Sequence, residues 1–183
     1  MKFLNIIVLL TCIMSSCTQD KSSWVAYEDL DTQGISITKS GISQIGNYTF
    51  KVVWDEELCF SDNIGHYGGI KKLEIFINDL LVNTFNHIED EVALGYVNID
   101  FFDYNLDGNV DFRLPLGCGA SCYYKYYIFN TSTNKFEHSP SWDYLRIFEL
   151  NIKEKKIIPI PDGNYDTEKK LYQINGMKLE KKN

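Results

Sequence analysis

Asp103, Asn105, Asp107, Asn109 and Asp111 alternate with other residues through Asp103-Tyr104-Asn105-Leu106-Asp107-Gly108-Asn109-Val110-Asp111. Oxygen-bearing side chains at loop positions one, three, five and nine, with glycine at six, match the first nine positions of an EF-hand-type calcium loop. Ca2+ takes about six to eight oxygen ligands at flexible distances, and this spacing curls successive carboxylate and amide oxygens around one point. Asp103, Asn105 and Asp107 would ligate directly, Asn109 through its backbone carbonyl, and Asp111 directly or through water. Position twelve is Leu114 where an EF-hand has a bidentate Glu, so a further carboxylate must come from elsewhere, Asp100 being the local candidate. The ion's expected role is structural, because the motif holds no His or Cys to position a catalytic water. A plainer reading stays open: Asp107-Gly108 makes a hairpin turn and the other polar side chains face water.

Other reactive side chains are less organised. Cys118-Gly-Ala-Ser-Cys122 could close a small disulfide loop, the pairing favoured here, although Cys59 could instead pair with either cysteine. His66, His87 and His138 have no metal-ligand spacing, and neither Ser121 nor Ser139 sits in a nucleophile-elbow context. Without a catalytic constellation, the expectation is a protein that is not an enzyme.

The elements that must hold the loop read as strands. Period-two alternation predicts strands over 48–54, 72–78, 80–85, 97–102, 123–129, 145–150 and 156–160, with no apolar 3.6-residue period of helical length. Asn78-Asp79 should turn the second strand into the third. Asn175-Gly176 should close a final hairpin through a type I′ turn that sets Ile174 opposite Met177 and Tyr172 opposite Leu179. The stretch 55–69, with Gly65, Gly68 and Gly69, reads as a long exposed loop, and a short helix could lie around 86–95. Short strands without helical crossovers predict an all-β, single-domain antiparallel β-sandwich or small barrel over 24–183. No repeat supports a propeller.

Residues 1–16 carry Lys2, an apolar run and then Ser15-Ser16 before Cys17, the pattern of a secretory signal too short to span a bilayer. Small residues before Cys17 and polar residues after it resemble a bacterial lipobox, which makes Cys17 the expected lipid anchor and 17–23 the tether. An ordinary signal cut nearby is the alternative. The whole chain of 183 residues has a formal charge of −7, and loss of Lys2 with the signal leaves 17 Lys plus Arg against 25 Asp plus Glu, a net of −8. Such a balance argues against nucleic acid as a partner, since phosphate-backbone binding needs clustered cations. Membrane association is expected only through the lipid anchor, at the outer membrane on its periplasmic or cell-surface side.

From about residue 72 the order of features resembles a known family. Lys-Leu-Glu-Ile-Phe-Ile is followed by Val-Asn-Ile-Asp-Phe-Phe-Asp-Tyr-Asn-Leu-Asp-Gly-Asn-Val-Asp-Phe-Arg-Leu and then by Tyr-Tyr-Lys-Tyr-Tyr-Ile-Phe-Asn-Thr-Ser-Thr-Asn-Lys-Phe. This is similar to the calcium-binding periplasmic lipoproteins of Xanthomonas that act as immunity proteins against a lysozyme-like effector, a family also found as lipoproteins of the Bacteroidetes. The resemblance implies a lysozyme-inhibitor-like β fold, calcium on Asp103, Asn105, Asp107, Asn109 and Asp111, and a lysozyme-like effector or muramidase as partner. Candidate partner contacts are Asp62, His66 and Tyr67 in the Gly-rich stretch, the segment 117–122, and Tyr124 and Tyr126 in the tyrosine strand. The rival expectation is a surface glycan-binding or accessory lipoprotein that uses the tyrosine strand of Tyr123, Tyr124, Tyr126 and Tyr127.

Overall fold

The computed structural model describes residues 23–90, 93–118, 121–161 and 170–182. The signal 1–16, Cys17 and the tether up to residue 22 lie outside the described residues. The chain is all-β, with short 3-10 turns at Tyr27–Asp29 and Pro140–Trp142. Its strands are β1 (Trp24–Ala26), β2 (Gln33–Ile37), β3 (Gly41–Ile45), β4 (Tyr48–Ser61), β5 (Gly65–Ile77), β6 (Leu80–Glu89) and β7 (Val97–Phe102). They continue as β8 (Asp111–Cys118), β9 (Cys122–Asn130), β10 (Lys135–His138), β11 (Ile147–Asn151), β12 (Lys156–Pro159), β13 (Leu171–Asn175) and β14 (Lys178–Lys182).

These strands form three antiparallel sheets, in the orders β3-β4-β5-β6, β10-β9-β8-β7-β2 and β1-β11-β12-β13-β14. The second sheet contributes to two separate cores. One of its faces sends Ile99, Phe101, Phe112 and Phe129 against Phe50, Leu73 and Ile75 of the first sheet. The other sends Tyr126 and Ile128 against Leu150, Ile157, Ile174 and Leu179 of the third. Each fully buried Leu, Ile or Phe contributes about 2 kcal/mol of apolar transfer, so both faces of this sheet are committed to packing. A strand buried on both sides needs apolar residues at consecutive positions. That requirement accounts for the tyrosine-rich run of β9, where Tyr127 stacks on Phe112 at 4.8 Å and Tyr126 meets Tyr104 edge-on at 4.9 Å.

Several local expectations change. The stretch 55–69 is strand: β4 and β5 extend as one long hairpin that turns at 62–64. Its glycines serve close packing, since a Cβ on Gly69 would lie 2.5 Å from the Ile88 carbonyl and one on Gly68 2.8 Å from the Trp54 ring. No helix occupies the described part of 86–95, because β6 continues to Glu89. In the last hairpin Ile174 faces Leu179 and Tyr172 faces Lys181. Gly176 takes the left-handed conformation (φ +59°) as the first central residue of the turn, the requirement of a type II′ turn, while Asn175 stays in the strand. This register buries Ile174 and Leu179 together. The Asn78-Asp79 turn is as expected, with both residues at positive φ between the paired Ile77 and Leu80.

Candidate metal-binding loop and hairpin surface

The Asp103–Asp111 loop joins β7 to β8 in the middle sheet and is anchored from within. Tyr104 points into the second core, fully buried, and its hydroxyl meets that of Tyr27 at 3.1 Å. The polar side chains between the apolar anchors fold the loop on itself. Asp107 N–H donates to Asp103 Oδ1 (2.9 Å) and to Asn105 Oδ1 (3.2 Å), and Gly108 N–H donates to Asp103 Oδ2 (2.7 Å). Asn109 donates from both backbone and side chain to Asp107 Oδ1 at 2.9 Å. Partial burial of Asp107 works toward a higher pKa, but the amides of Asn109 and Asn105 win and hold it below its ordinary value.

Asp111 has a different job from the other four. It is fully buried and accepts from Tyr104 N–H and Asn105 N–H on Oδ2 (2.9 and 3.2 Å) and from Phe129 N–H on Oδ1 (2.8 Å). Burial pushes its pKa up to about 8, with the backbone amides of Phe129 and Asn105 opposing and the charges of Asp103 and Asp107 adding to the rise. Both of its oxygens clamp the start of the loop to β9, which makes Asp111 a brace. The Asp103, Asp107 and Asp111 carboxylates do not converge as a ligand trio: among the described residues the only such His/Cys/Asp/Glu group is elsewhere, at Cys59, His87 and Glu89.

Asp100, the local candidate for an extra ligand, is engaged on β7. Arg113 Nε donates to its Oδ2 at 3.1 Å, while Arg113 Nη1 donates to the Tyr126 hydroxyl at 3.3 Å. The Arg113 guanidinium lies over the Tyr124 ring at 3.7 Å. Tyr126 extends the network by donating to the Leu145 carbonyl at 2.9 Å, in the segment that leads into β11. Tyr126 is therefore core, with no exposed surface, and is withdrawn as a partner contact; Tyr124 is half-buried beneath Arg113. Sequence gave no warning of this network, because its members become neighbours only when β7, β8 and β9 pair.

The other candidate contacts lie along the β4–β5 hairpin. Asp62 and His66 are exposed, and Tyr67 is half-buried with its hydroxyl donating to Glu89 Oε2 at 3.3 Å. Phe60 (61% exposed) and Ile64 (59% exposed) add apolar surface, the Phe60 ring meeting the His66 ring edge-on at 5.2 Å. Exposed Glu56 and Glu57 stand on the same strand. Ser139 and His138 are tied down elsewhere: Ser139 Oγ donates to the Met177 carbonyl at 2.6 Å, and His138 Nε2 lies 2.9 Å from Asp143.

Cys59 is a free thiol, which sets aside the pairings that used it. Cys122 is disulfide-bonded, and the strand register places Cys118 opposite it, at the closed end of the β8–β9 hairpin. The Cys118 side chain, and residues 119–120 of the segment 117–122, lie outside what is described.

No protein-family model, curated protein or solved structure matches this chain.

Proposed function

We propose that the protein is an exported, lipid-anchored binding protein, without catalysis of its own, that inhibits a lysozyme-like peptidoglycan hydrolase. The observation that carries the reading is the tip of the β4–β5 hairpin, where Phe60 and Ile64 are exposed around acidic Asp62, with exposed Glu56 and Glu57 further down β4. An apolar tip in an acidic setting suits insertion into the cleft of a basic enzyme, with charge steering the encounter. The resemblance of roughly residues 70–180 to lysozyme-directed immunity lipoproteins points to the same partner. Burial of Tyr126 and the Arg113 cover over Tyr124 take those two rings away from a glycan-binding role.

In this reading Cys17 carries the lipid, and the tether delivers the domain at β1, an edge strand of its sheet. Several acyl chains give stable anchoring where a single one is marginal. Ca2+ would be held by oxygens of Asp103, Asn105 and Asp107 and the Asn109 carbonyl, with Asp111 bracing the loop from inside. The donor set suits a hard cation, since every group offered is an oxygen. The ion's contribution is to neutralise Asp103 and Asp107 and hold the loop closed. A Cys118–Cys122 bridge would pin the neighbouring hairpin. Turbidity of cell-wall suspensions treated with lysozymes of several classes tests the function: the purified protein slows clearing by at least one class.

A further inference from the structure

Two strands of the first sheet, β4 and β6, bring a thiol, an imidazole and a carboxylate to one spot. Cys59 Sγ on β4 lies 3.8 Å from His87 Nε2 on β6, and the same nitrogen lies 3.3 Å from Glu89 Oε1. All three ligand atoms fall within 4.8 Å of one another. Tetrahedral zinc, with Zn–S near 2.3 Å and Zn–N or Zn–O near 2.0–2.1 Å, separates sulfur from nitrogen by about 3.6 Å and nitrogen from oxygen by about 3.4 Å. The observed separations already approximate those of a coordinated set.

The backbone departs from regular pairing on both strands that deliver these groups. On β4 the register slips between Asp55 and Cys59, and bulges of this kind re-aim the side chain that follows. On β6, His87 has φ +59° in mid-strand, a strained conformation for a non-glycine residue. Tyr67, paired across from Cys59, donates its hydroxyl to Glu89 Oε2 and leaves Oε1 toward His87. Hydrogen bonds of this kind orient metal ligands and tune their affinity. The side chains of His87 and Glu89 are 60% and 41% exposed, and both line a surface cleft of about 220 Å³ with Phe85, Leu114, Lys125 and Tyr127.

We propose that Cys59, His87 and Glu89 form a zinc site with three protein ligands and a fourth position open to water or a small ligand from the cleft. One thiolate, one imidazole and one carboxylate suit Zn2+, whereas Ca2+ and Mg2+ take oxygen alone. Binding converts the Cys59 thiol to a thiolate and releases its proton to the buffer. The site shares no ligand with the Asp103–Asp111 loop and is independent of the proposed inhibitory function.

The test is titration of the reduced, metal-free protein with Co2+ and then Zn2+, in excess Ca2+ so that the oxygen loop is not the reporter. The expected result is one ion per chain with thiolate-to-cobalt charge-transfer absorption that Zn2+ displaces. Cys59→Ser should abolish that absorption, His87→Ala should weaken Zn2+ binding at least about 100-fold, and Tyr67→Phe should weaken it about 10-fold. Thermal melting of each variant without metal reports its folding, and the three wild-type readouts do not depend on any variant. Absence of stoichiometric binding, absence of the charge-transfer band, or Zn2+ affinity unchanged in folded Cys59→Ser or His87→Ala overturns the site.

Discussion

A carboxylate with no exposed surface that accepts three main-chain N–H groups organises everything around it. Asp111 does this for Tyr104, Asn105 and Phe129, and so couples the calcium-type loop to β9. Above the Asp111 pKa of about 8, where the carboxylate is ionised, Asp111→Asn keeps the shape but replaces one acceptor oxygen by a donor facing a backbone N–H. The expected cost is on the order of 3 kcal/mol, because buried donors left without acceptors lose their solvation outright. Urea unfolding measures it, and a loss below about 1 kcal/mol contradicts the brace role. The residues of this loop were legible as a set because oxygen side chains at fixed spacing have a recognisable chemistry. What spacing could not reveal was that Asp111 faces inward, since its partner Phe129 stands on a strand 18 residues away. The Cys59–His87 approach, spanning 28 residues, was hidden for the same reason.

Among the elements, the long β4–β5 hairpin shows how a glycine can mislead. Gly68 and Gly69 read as loop residues, but they lie in β5 where Trp54 and the Ile88 carbonyl leave no room for a Cβ. Gly69→Ala should therefore destabilise the protein by about 2 kcal/mol through forced separation of β5 from β6. Thermal unfolding checks this, and an unchanged melting temperature would show that the strands can part freely. Turn chemistry was read well at Asn78-Asp79, where two residues tolerant of positive φ separate two alternating runs. It slipped by one position at Asn175-Gly176, because the dipeptide fits a type I′ turn while burial of Ile174 against Leu179 favours Gly176 as the first turn residue. The alternation over 97–102 coincides with β7, whose buried residues fall at every second position. The short β1 and β2 strands carry little alternation of their own and take their stability from partners distant in sequence, β11 and β7, whereas β3 is a short, largely exposed strand that pairs with the adjacent β4 across Gly46-Asn47.

For the whole molecule, the middle sheet is buried on both faces between two cores. Tyr126 belongs to the core and Tyr124 is covered by Arg113, so the β4–β5 hairpin tip is the surface that the proposed inhibition uses. The hard cation proposed for the Asp103–Asp111 loop should show its effect in global stability. Asp107→Ala should lower the melting temperature by roughly 3–6 °C relative to wild type in millimolar Ca2+, and by much less with chelator present. Equal differences with and without chelator would remove calcium from the account. The central claim, that the protein restrains a lysozyme-like enzyme through the β4–β5 tip, is tested most directly by lysis rates of purified cell walls. Across lysozyme classes, wild-type protein should slow at least one in proportion to its concentration, and a folded Phe60→Ala/Ile64→Asp variant should lose most of that effect. Unslowed lysis by every class, or equal slowing by the variant, would contradict it.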